Sequence, residues 1–509
     1  MICVLPLLLL ASLVHVDGQG QGGAPTDAPT PRYSTKTGYD SSFEPGTKEI
    51  ANRLRDWRAI ARDVAEISAV AQCQPAGVYV VYRHGARYPG GSDIAEYNAF
   101  LTQLKKTGVS NDYAYLTNIT DNLYALPLQG QLHPAGLAEM QNLGSRIKTR
   151  LPQLISTNPL NEFRFQSTYK RRTTESAIGF INGLLGIEYQ CNITRKAPTK
   201  DTVSCRYPSA GKVSATSVDH EERERDRLLL FYQNCEKYAR TVDNDPRAII
   251  EQTKFARGPE MAAVRKAVSR RLTPPGSATP KNISIDQIEL IHHMCGYETT
   301  YYGGTYTPWC YLLSDDEKRV VEYYLDLKYY WTEGYGYDIN SKIACPLIDD
   351  IVDYLRDVAS GAPDTPKGYF KFAHHATIQP LLTSLGLYKD SAKLMANNYN
   401  VSIDRDWSTG RIAPTGGNVA FSFLRCPSGQ HRVLMLHNEL PIKVGPCKEF
   451  FCPFNTAVSH LTASSGGCQF DETCRMGRRN PGNGADSTAA VYWLVATLGI
   501  LTARLNLFA

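Results

Sequence analysis

Residues 77–89 read Gly77-Val-Tyr-Val-Val-Tyr-Arg83-His84-Gly85-Ala86-Arg87-Tyr88-Pro89, an apolar run that ends in a basic turn. Two later segments, at 163–185 and 369–386, repeat the same order of extended run, polar turn and helix-like pattern. Strands that alternate with helices in this way are typical of an α/β protein. We therefore predict an α/β fold with a mixed, mainly parallel sheet that is flanked by helices. In such sheets, ligands bind beyond the carboxyl ends of the strands.

Basic and histidine side chains collect at these predicted strand ends. Arg83, His84 and Arg87 follow the first run, Arg172 follows the second and His374 follows the third. Two guanidiniums that bracket a histidine repel each other, and an anion bound between them offsets this repulsion. The planar fork of arginine matches the geometry of phosphate oxygens. Positive surroundings also hold His84 neutral, which leaves a ring nitrogen free to attack phosphorus. The pattern predicts a site for phosphoryl transfer.

The composition of the chain is that of an ordinary globular protein. It has 509 residues, of which 42% are hydrophobic and 21% are charged. These values exclude a disordered chain, a collagen-like repeat and a polytopic membrane protein. The net charge of +5 is too small to indicate a nucleic-acid partner. We expect an anionic, phosphorylated small molecule as substrate, with no metal and no other cofactor.

Both ends of the chain carry targeting patterns. Residues 1–18 combine an apolar run with small residues at a cleavage point and predict a secretory signal peptide. Residues 476–488 read as a linker and anchor-attachment region, and residues 489–509 as a hydrophobic tail that is interrupted by Arg504. This order predicts a GPI anchor on the extracellular face of the plasma membrane. A single membrane span at the tail and a soluble chain with an apolar end are the alternatives.

The cysteines and the glycosylation sequons agree with a secretory compartment. Without Cys3 of the signal peptide, the 13 cysteines become twelve, an even number suited to disulfides. Two local pairs are predicted near the C-terminus, Cys447/Cys452 and Cys468/Cys474. Four sequons predict glycosylation at Asn118, Asn192, Asn282 and Asn400.

Between the two ends, the sequence predicts a leader and one large domain. Residues 19–48 are rich in Gly, Pro, Thr and Ser and predict a flexible leader. Residues 49–475 form the domain. Charged helical patterns at 220–238 and 315–331 predict a helical lobe, inserted at about 200–335, that covers the sheet.

Several motifs resemble one known family. Residues 83–89 resemble the RHGxRxP signature of histidine acid phosphatases, and residues 229–238, 307–310 and 327–340 resemble its multiple inositol polyphosphate phosphatase branch. The resemblance covers roughly residues 70–460. It implies a histidine phosphatase-like domain in a secreted or cell-surface enzyme that removes phosphate from inositol polyphosphates such as phytate.

The resemblance also implies a role for each candidate site residue. His84 forms a phosphohistidine intermediate. The phosphate is held by His374 and by three arginines, Arg83, Arg87 and Arg172. Lys170 matches a basic residue of this branch and is expected to hold another phosphate of the substrate.

One position departs from the pattern of the branch. The branch carries His-Ala-Glu where this chain has His374-His375-Ala376, so the acid that protonates the leaving oxygen falls on Ala376. General acid catalysis is worth about 10²–10⁴-fold. The missing acid must be replaced by His375, by another nearby acid, by the substrate's own phosphates or by water; otherwise turnover is slow. An active enzyme is favoured because His84 and the arginines are complete. The alternatives are a broad-specificity acid phosphatase and a catalytically weak inositol-phosphate-binding pseudoenzyme.

Overall fold

The computed structural model describes residues 32–39, 42, 70, 72–119, 124–155, 162–186, 190–197, 200–206, 213–304 and 306–476. The predicted signal peptide and hydrophobic tail lie outside these residues. Within them, we find no helix whose length and apolar character would let it cross a membrane.

The described residues contain a sheet of ten strands. Its strands are β1 (Gln74–Arg83), β2 (Phe163–Ser167), β3 (Gln190–Ala197), β4 (Lys200–Arg206), β5 (Val213–Asp219), β6 (Gly368–Ala373), β7 (Asn418–Arg425), β8 (Arg432–His437), β9 (Leu440–Ile442) and β10 (Phe451–Pro453). Their order is β10-β8-β7-β1-β6-β2-β5-β4-β3, with β9 paired to β8. The four central strands β1, β6, β2 and β5 are parallel to each other, and the flanking pairs are antiparallel. The predicted mixed α/β sheet is confirmed, with its parallel part confined to the centre.

The continuous apolar run of β1 reflects burial on both faces of the sheet. Tyr79 and Val81 belong to the larger hydrophobic cluster on one face, whereas Val78, Val80 and Tyr82 belong to a second cluster on the other. A strand that is covered on both sides needs apolar residues at consecutive positions. This is why the segment lacks the alternation of a half-exposed strand.

Helices cover both faces of the sheet. The α-helices of five or more residues in the described part of the chain are α1 (Gly91–Thr107), α2 (Pro134–Arg150), α3 (Arg171–Leu185), α4 (Ile250–Ala256), α5 (Pro259–Leu272), α6 (Ile285–Tyr302), α7 (Asp315–Thr332), α8 (Cys345–Ser360), α9 (His375–Ser384), α10 (Phe454–Ser465) and α11 (Phe470–Cys474). Helices α2 and α3 pack on the face of the second cluster, and α8 and α9 pack on the face of the larger one.

The helical lobe begins later than the sequence analysis predicts. Residues 200–206 and 213–219 are strands β4 and β5, which extend the sheet beyond β2. Of the helix predicted at 220–238, only Glu236–Tyr238 is helical. In the turns before it, Asp226 accepts the Leu229 N–H and the Asn234 amide donates to backbone carbonyls, bonds that compete with helix formation. The helix predicted at 315–331 is present as α7.

Part of the predicted flexible leader is instead a packed segment. Residues 32–39 contain a short 3₁₀ turn, Ser34–Lys36, and most of their side chains are buried. The backbone N–H of Arg32 donates to Glu322 of α7 at 2.9 Å, and the Tyr33 N–H donates to the Thr37 hydroxyl at 2.9 Å. The contact with Glu322, 290 residues away, ties to α7 a segment whose composition alone suggests no such contact.

The described cysteines correct one predicted pair. Among the cysteines whose side chains the structure describes, five disulfides join Cys73–Cys426, Cys235–Cys474, Cys295–Cys310, Cys345–Cys468 and Cys447–Cys452. The Cys447/Cys452 pair is confirmed. The Cys468/Cys474 pair is wrong. Cys468, between α10 and α11, bonds to Cys345 at the start of α8, whereas Cys474, at the end of α11, bonds to Cys235 in the turns that precede the lobe.

Candidate active site

The turns after β1, β2 and β6 meet at one edge of the sheet. Parallel pairing brings the last residues of these strands, Arg83, Ser167 and Ala373, to the same level. His84 directly follows β1, and His374 directly follows β6. Their ring centroids lie 5.5 Å apart in an edge-on arrangement. The site therefore lies where the strand–turn–helix order of the sequence places it.

His84 is a neutral imidazole with a defined tautomer. Its Nδ1 lies 2.8 Å from the carbonyl oxygen of Gly85. A carbonyl only accepts, so Nδ1 carries the hydrogen and Nε2 has the lone pair. Burial lowers the pKa of His84 well below its usual range, and the charges of Arg172 and Arg83 lower it further. A neutral imidazole with a lone pair is the form that attacks phosphorus.

Arg83 is fixed by the backbone on two sides. Its Nη1 donates to the carbonyl of Ala413 and its Nη2 to that of Thr35, both at 2.6 Å. Its Nε is also buried and has no hydrogen-bond partner in the described part of the chain. Burial, with the nearby charge of Arg87, lowers the pKa of Arg83 to about 10, so the group keeps its charge at neutral pH. A rigid, charged donor without a partner is suited to a phosphate oxygen.

Arg172 and His374 form a second arm of the site. The Arg172 Nη2 lies 3.4 Å from Nδ1 of His374, and His374 Nε2 lies 3.0 Å from the Thr168 hydroxyl. Because a guanidinium only donates, Nδ1 accepts and Nε2 carries the hydrogen. Both ring nitrogens are thus engaged by the protein, and His374 orients Arg172. The Nε of Arg172 is buried without a partner among the described residues.

Two lysines extend the positive charge beyond these residues. Lys170 is the N-cap of α3, and its charge is close enough to lower the pKa of His374, after burial and Arg172. Lys36 comes from the packed segment 32–39. Burial, followed by the charge of Arg87, lowers its pKa to about 8. No motif singles out Lys36 in the sequence, since it lies in a stretch with the composition of a linker.

A cavity of about 240 Å³ lies beside the basic turn after β1, and its lining does not include His84, Arg172 or His374. Its lining combines the basic turn after β1, the packed segment and one face of α6: Thr35, Lys36, Arg83, Ala86, Arg87, Tyr297, Thr300, Tyr301 and Thr415. Arg87 also donates from Nη1 to the carbonyl of Tyr88 at 2.7 Å, which sets its direction. The cavity therefore contains three cations from two parts of the chain.

Glu139 on α2 holds the loop that carries His84. One carboxylate oxygen accepts the Ala86 N–H at 2.8 Å. The other accepts the Tyr39 N–H at 3.2 Å and the Thr415 hydroxyl at 2.9 Å. A single carboxylate thus ties together the catalytic loop, the packed segment and the turn before β7. The sequence analysis missed this residue, because a lone glutamate on a helix gives no sign of such contacts.

The position of the absent acid is occupied by an apolar side chain. Ala376 lies in the first turn of α9 and is buried. Its neighbour His375 places Nδ1 2.9 Å from Oε2 of Glu333, the residue that follows α7. Sequence reasoning finds His375 but not Glu333, which is far from it in the chain.

Comparisons with known proteins identify a family and its relatives. A family model described as "Histidine phosphatase superfamily (branch 2)" matches residues 76–438. Multiple inositol polyphosphate phosphatase 1 of Gallus gallus is 28% identical over 487 residues, which cover 94% of this chain and 97% of that protein. The protein of the same name from Homo sapiens is 28% identical over 426 residues, 80% of this chain and 83% of that protein.

Solved structures share the fold. The crystal structure of the phytase from D. castellii superposes with a TM-score of 0.62 and 18% identity, covering 79% of this chain and 82% of that one. The Bifidobacterium longum multiple inositol polyphosphate phosphatase in complex with inositol hexasulfate superposes with a TM-score of 0.60 and 15% identity, covering 85% and 98%.

Proposed function

The chain belongs to the histidine phosphatase superfamily (branch 2), and on this basis we propose that it removes phosphate from inositol polyphosphates through a phosphohistidine on His84. The observation that carries the proposal is the neutral His84, with its lone pair on Nε2, beside Arg83 and Arg172, whose buried Nε donors have no partner among the described residues. The relatives named multiple inositol polyphosphate phosphatase support the choice of substrate.

The reaction takes two displacements at phosphorus. The Nε2 of His84 attacks in line with the ester oxygen, so a P–N bond forms as the P–O bond breaks. Charge that develops on the three remaining oxygens is stabilised by Arg83, Arg87 and Arg172. Water then attacks the phosphohistidine, the P–N bond breaks, and inorganic phosphate leaves. His374 contributes by orienting Arg172.

A substrate with several phosphates fits the distribution of charge. Lys36 and Lys170 lie outside the group of arginines that holds the transferred phosphate, and each would bind a further phosphate of the same ring. A simple monoester has no group for them. This favours inositol polyphosphates over the broad-specificity acid phosphatase alternative.

The location we propose is the outer surface of the cell. Disulfides are typical of an oxidising compartment, and Asn118, Asn282 and Asn400 of the predicted sequons are exposed. A signal peptide and a GPI anchor would then place a glycosylated enzyme on the plasma membrane. Release of activity from intact cells by a phosphatidylinositol-specific phospholipase C tests the anchor, and activity that stays with the cells contradicts it.

The decisive assay for function compares two substrates. Purified protein is tested for phosphate release from inositol hexakisphosphate and from p-nitrophenyl phosphate, from about pH 4 to about pH 7.5. We expect turnover of both and its loss in His84→Ala. His431→Ala changes a histidine at the distant β7–β8 turn and should retain activity. Binding of inositol hexakisphosphate without turnover would instead favour the pseudoenzyme, which the alanine at position 376 makes the second candidate.

A further inference from the structure

We propose that Glu333 and His375 act as a pair that delivers the proton to the leaving oxygen, in place of the carboxyl absent at position 376. The inference rests on the proposed phosphatase activity. In it, His375 is the catalytic residue that faces the substrate, and Glu333 is a positioning residue that acts through it.

The geometry of the pair is that of a buried acid behind a more exposed imidazole. The side chain of Glu333 is 7% exposed and that of His375 is 28% exposed, with 2.9 Å between Oε2 and Nδ1. Among the described residues, Nε2 of His375 has no hydrogen-bond partner, and this atom is exposed to solvent. The imidazole therefore has one nitrogen toward the acid and one available to a ligand.

Both residues are held firmly at the junction of two helices. The Glu333 N–H donates to the Tyr329 carbonyl at 2.7 Å at the end of α7, and the Glu333 carbonyl accepts the Thr383 hydroxyl of α9 at 3.2 Å. The ring of Tyr329 packs edge-on against His375 with centroids 5.3 Å apart. Tyr329 also contacts the hydroxyl of Thr35, a residue that lines the active-site cavity. The pair is thus linked through Tyr329 to the cavity beside Arg83, and the charges of Arg83, Lys36 and Arg87 are close enough to His375 to lower its pKa.

Burial favours the neutral form of the pair, with the proton on Glu333. Burial raises the pKa of Glu333 to about 8, although Lys328 and Arg83 act in the opposite direction. Burial lowers the pKa of His375 well below its usual range, as do Arg83, Lys36, Arg87 and Lys328. Four other titratable groups face Glu333 closely enough to interact with it, Tyr232, Tyr238, Asp243 and Tyr329.

In this state, the protons needed for both steps are present. The carboxylic acid of Glu333 donates to Nδ1 of His375, which leaves the imidazole hydrogen on Nε2. As the P–O bond breaks, Nε2–H passes its proton to the ester oxygen while Nδ1 takes the proton of Glu333. In the second step, Nε2 removes a proton from the attacking water and Nδ1–H returns its proton to the carboxylate. The pair is unchanged after one turnover.

The test is the dependence on the leaving group. An alkyl oxygen of inositol needs a proton to leave, whereas p-nitrophenolate barely does. We expect Glu333→Gln and His375→Ala to lower kcat/KM for inositol hexakisphosphate by about 10²-fold or more. For p-nitrophenyl phosphate, kcat/KM should stay within about threefold of wild type. Glu251→Gln removes another buried glutamate, one that pairs with Lys254 outside the site, and should leave the ratio of the two substrates unchanged.

The wild-type pH profile provides a second test that needs no folded variant. The reactive form carries the proton on Glu333, so activity on inositol hexakisphosphate should be present below about pH 8 and fall as pH rises through that value. Activity on p-nitrophenyl phosphate should fall less over the same range. Equal losses on both substrates in the variants, or identical wild-type profiles, overturn the pair while leaving the phosphatase intact. Wild-type protein that hydrolyses neither substrate overturns the proposed function instead.

Discussion

The contact between the His84 loop and α2 offers a test of positioning that touches no charged group. A Cβ added to Gly136 would lie 2.1 Å from the carbonyl oxygen and 2.4 Å from the amide nitrogen of Ala86. Ordinary contacts begin at about 3.4 Å, so the loop must move by about 1 Å relative to the helix in Gly136→Ala. Ala86 lies between His84 and Arg87, and a misplacement of about 1 Å can cost about 10²-fold in rate. We therefore expect kcat to fall by about two orders of magnitude.

The effect on stability should be much smaller. Overpacking costs about 1–3 kcal/mol, and alanine in a helix regains up to about 1 kcal/mol relative to glycine. The free energy of unfolding should then fall by at most about 2 kcal/mol.

The assay measures kcat for p-nitrophenyl phosphate together with thermal unfolding. Gly90→Ala is the matched control, because its Cβ would meet nothing closer than 3.8 Å and its φ is −72°. A kcat for Gly136→Ala equal to that of the control would refute the reasoning.

Three further substitutions test other parts of the account. Lys36→Gln should raise KM for inositol hexakisphosphate roughly tenfold, the value of one charge-assisted hydrogen bond, with kcat for p-nitrophenyl phosphate unchanged in steady-state assays; an unchanged KM would remove Lys36 from the site. Glu439→Gln should lower the free energy of unfolding by about 3 kcal/mol in denaturant titrations, because it leaves Arg146 and Arg150 without their buried anion. A change under about 1 kcal/mol would contradict this. Arginine charges hold the pKa of Glu439 below its usual range despite burial, so this stabilisation is present near neutral pH and is lost as pH falls through the folded-state pKa. Ala376→Glu, placed in the Glu333→Gln background, should restore part of the rate on inositol hexakisphosphate, and no gain would show that position 376 does not face the leaving oxygen.

Local patterns are enough to predict strands β1, β2 and β6 and the turns that follow them. The apolar run before Arg83 and the turns at Arg172 and His374 each carry their signal within a few residues. Parallel pairing of neighbouring strands then brings these turns together, because carboxyl ends of such strands share one edge. The structure places these three turns at one edge of the sheet.

The features missed by sequence analysis depend on contacts between distant segments. Glu333 and His375 are 42 residues apart in the chain, and Glu139 reaches Tyr39 across 100 residues. Lys36 lies in a stretch whose composition resembles a linker, yet burial against α6 and α7 orders it. No periodicity or motif records such pairings. At 220–235 a helix was predicted wrongly because of local contacts. The charge pattern there is typical of a helix, but side chains bond to the nearby backbone and form turns instead.

The most direct test of the account is the identity of the phosphorylated residue during turnover. Enzyme mixed with excess inositol hexakisphosphate is quenched in alkali, which preserves phosphohistidine, and its peptides are mapped by mass spectrometry. We predict a phosphoryl group on His84 that disappears as substrate is exhausted. A phosphoryl group on any other residue, or full turnover with no labelled peptide at any quench time, would contradict the account.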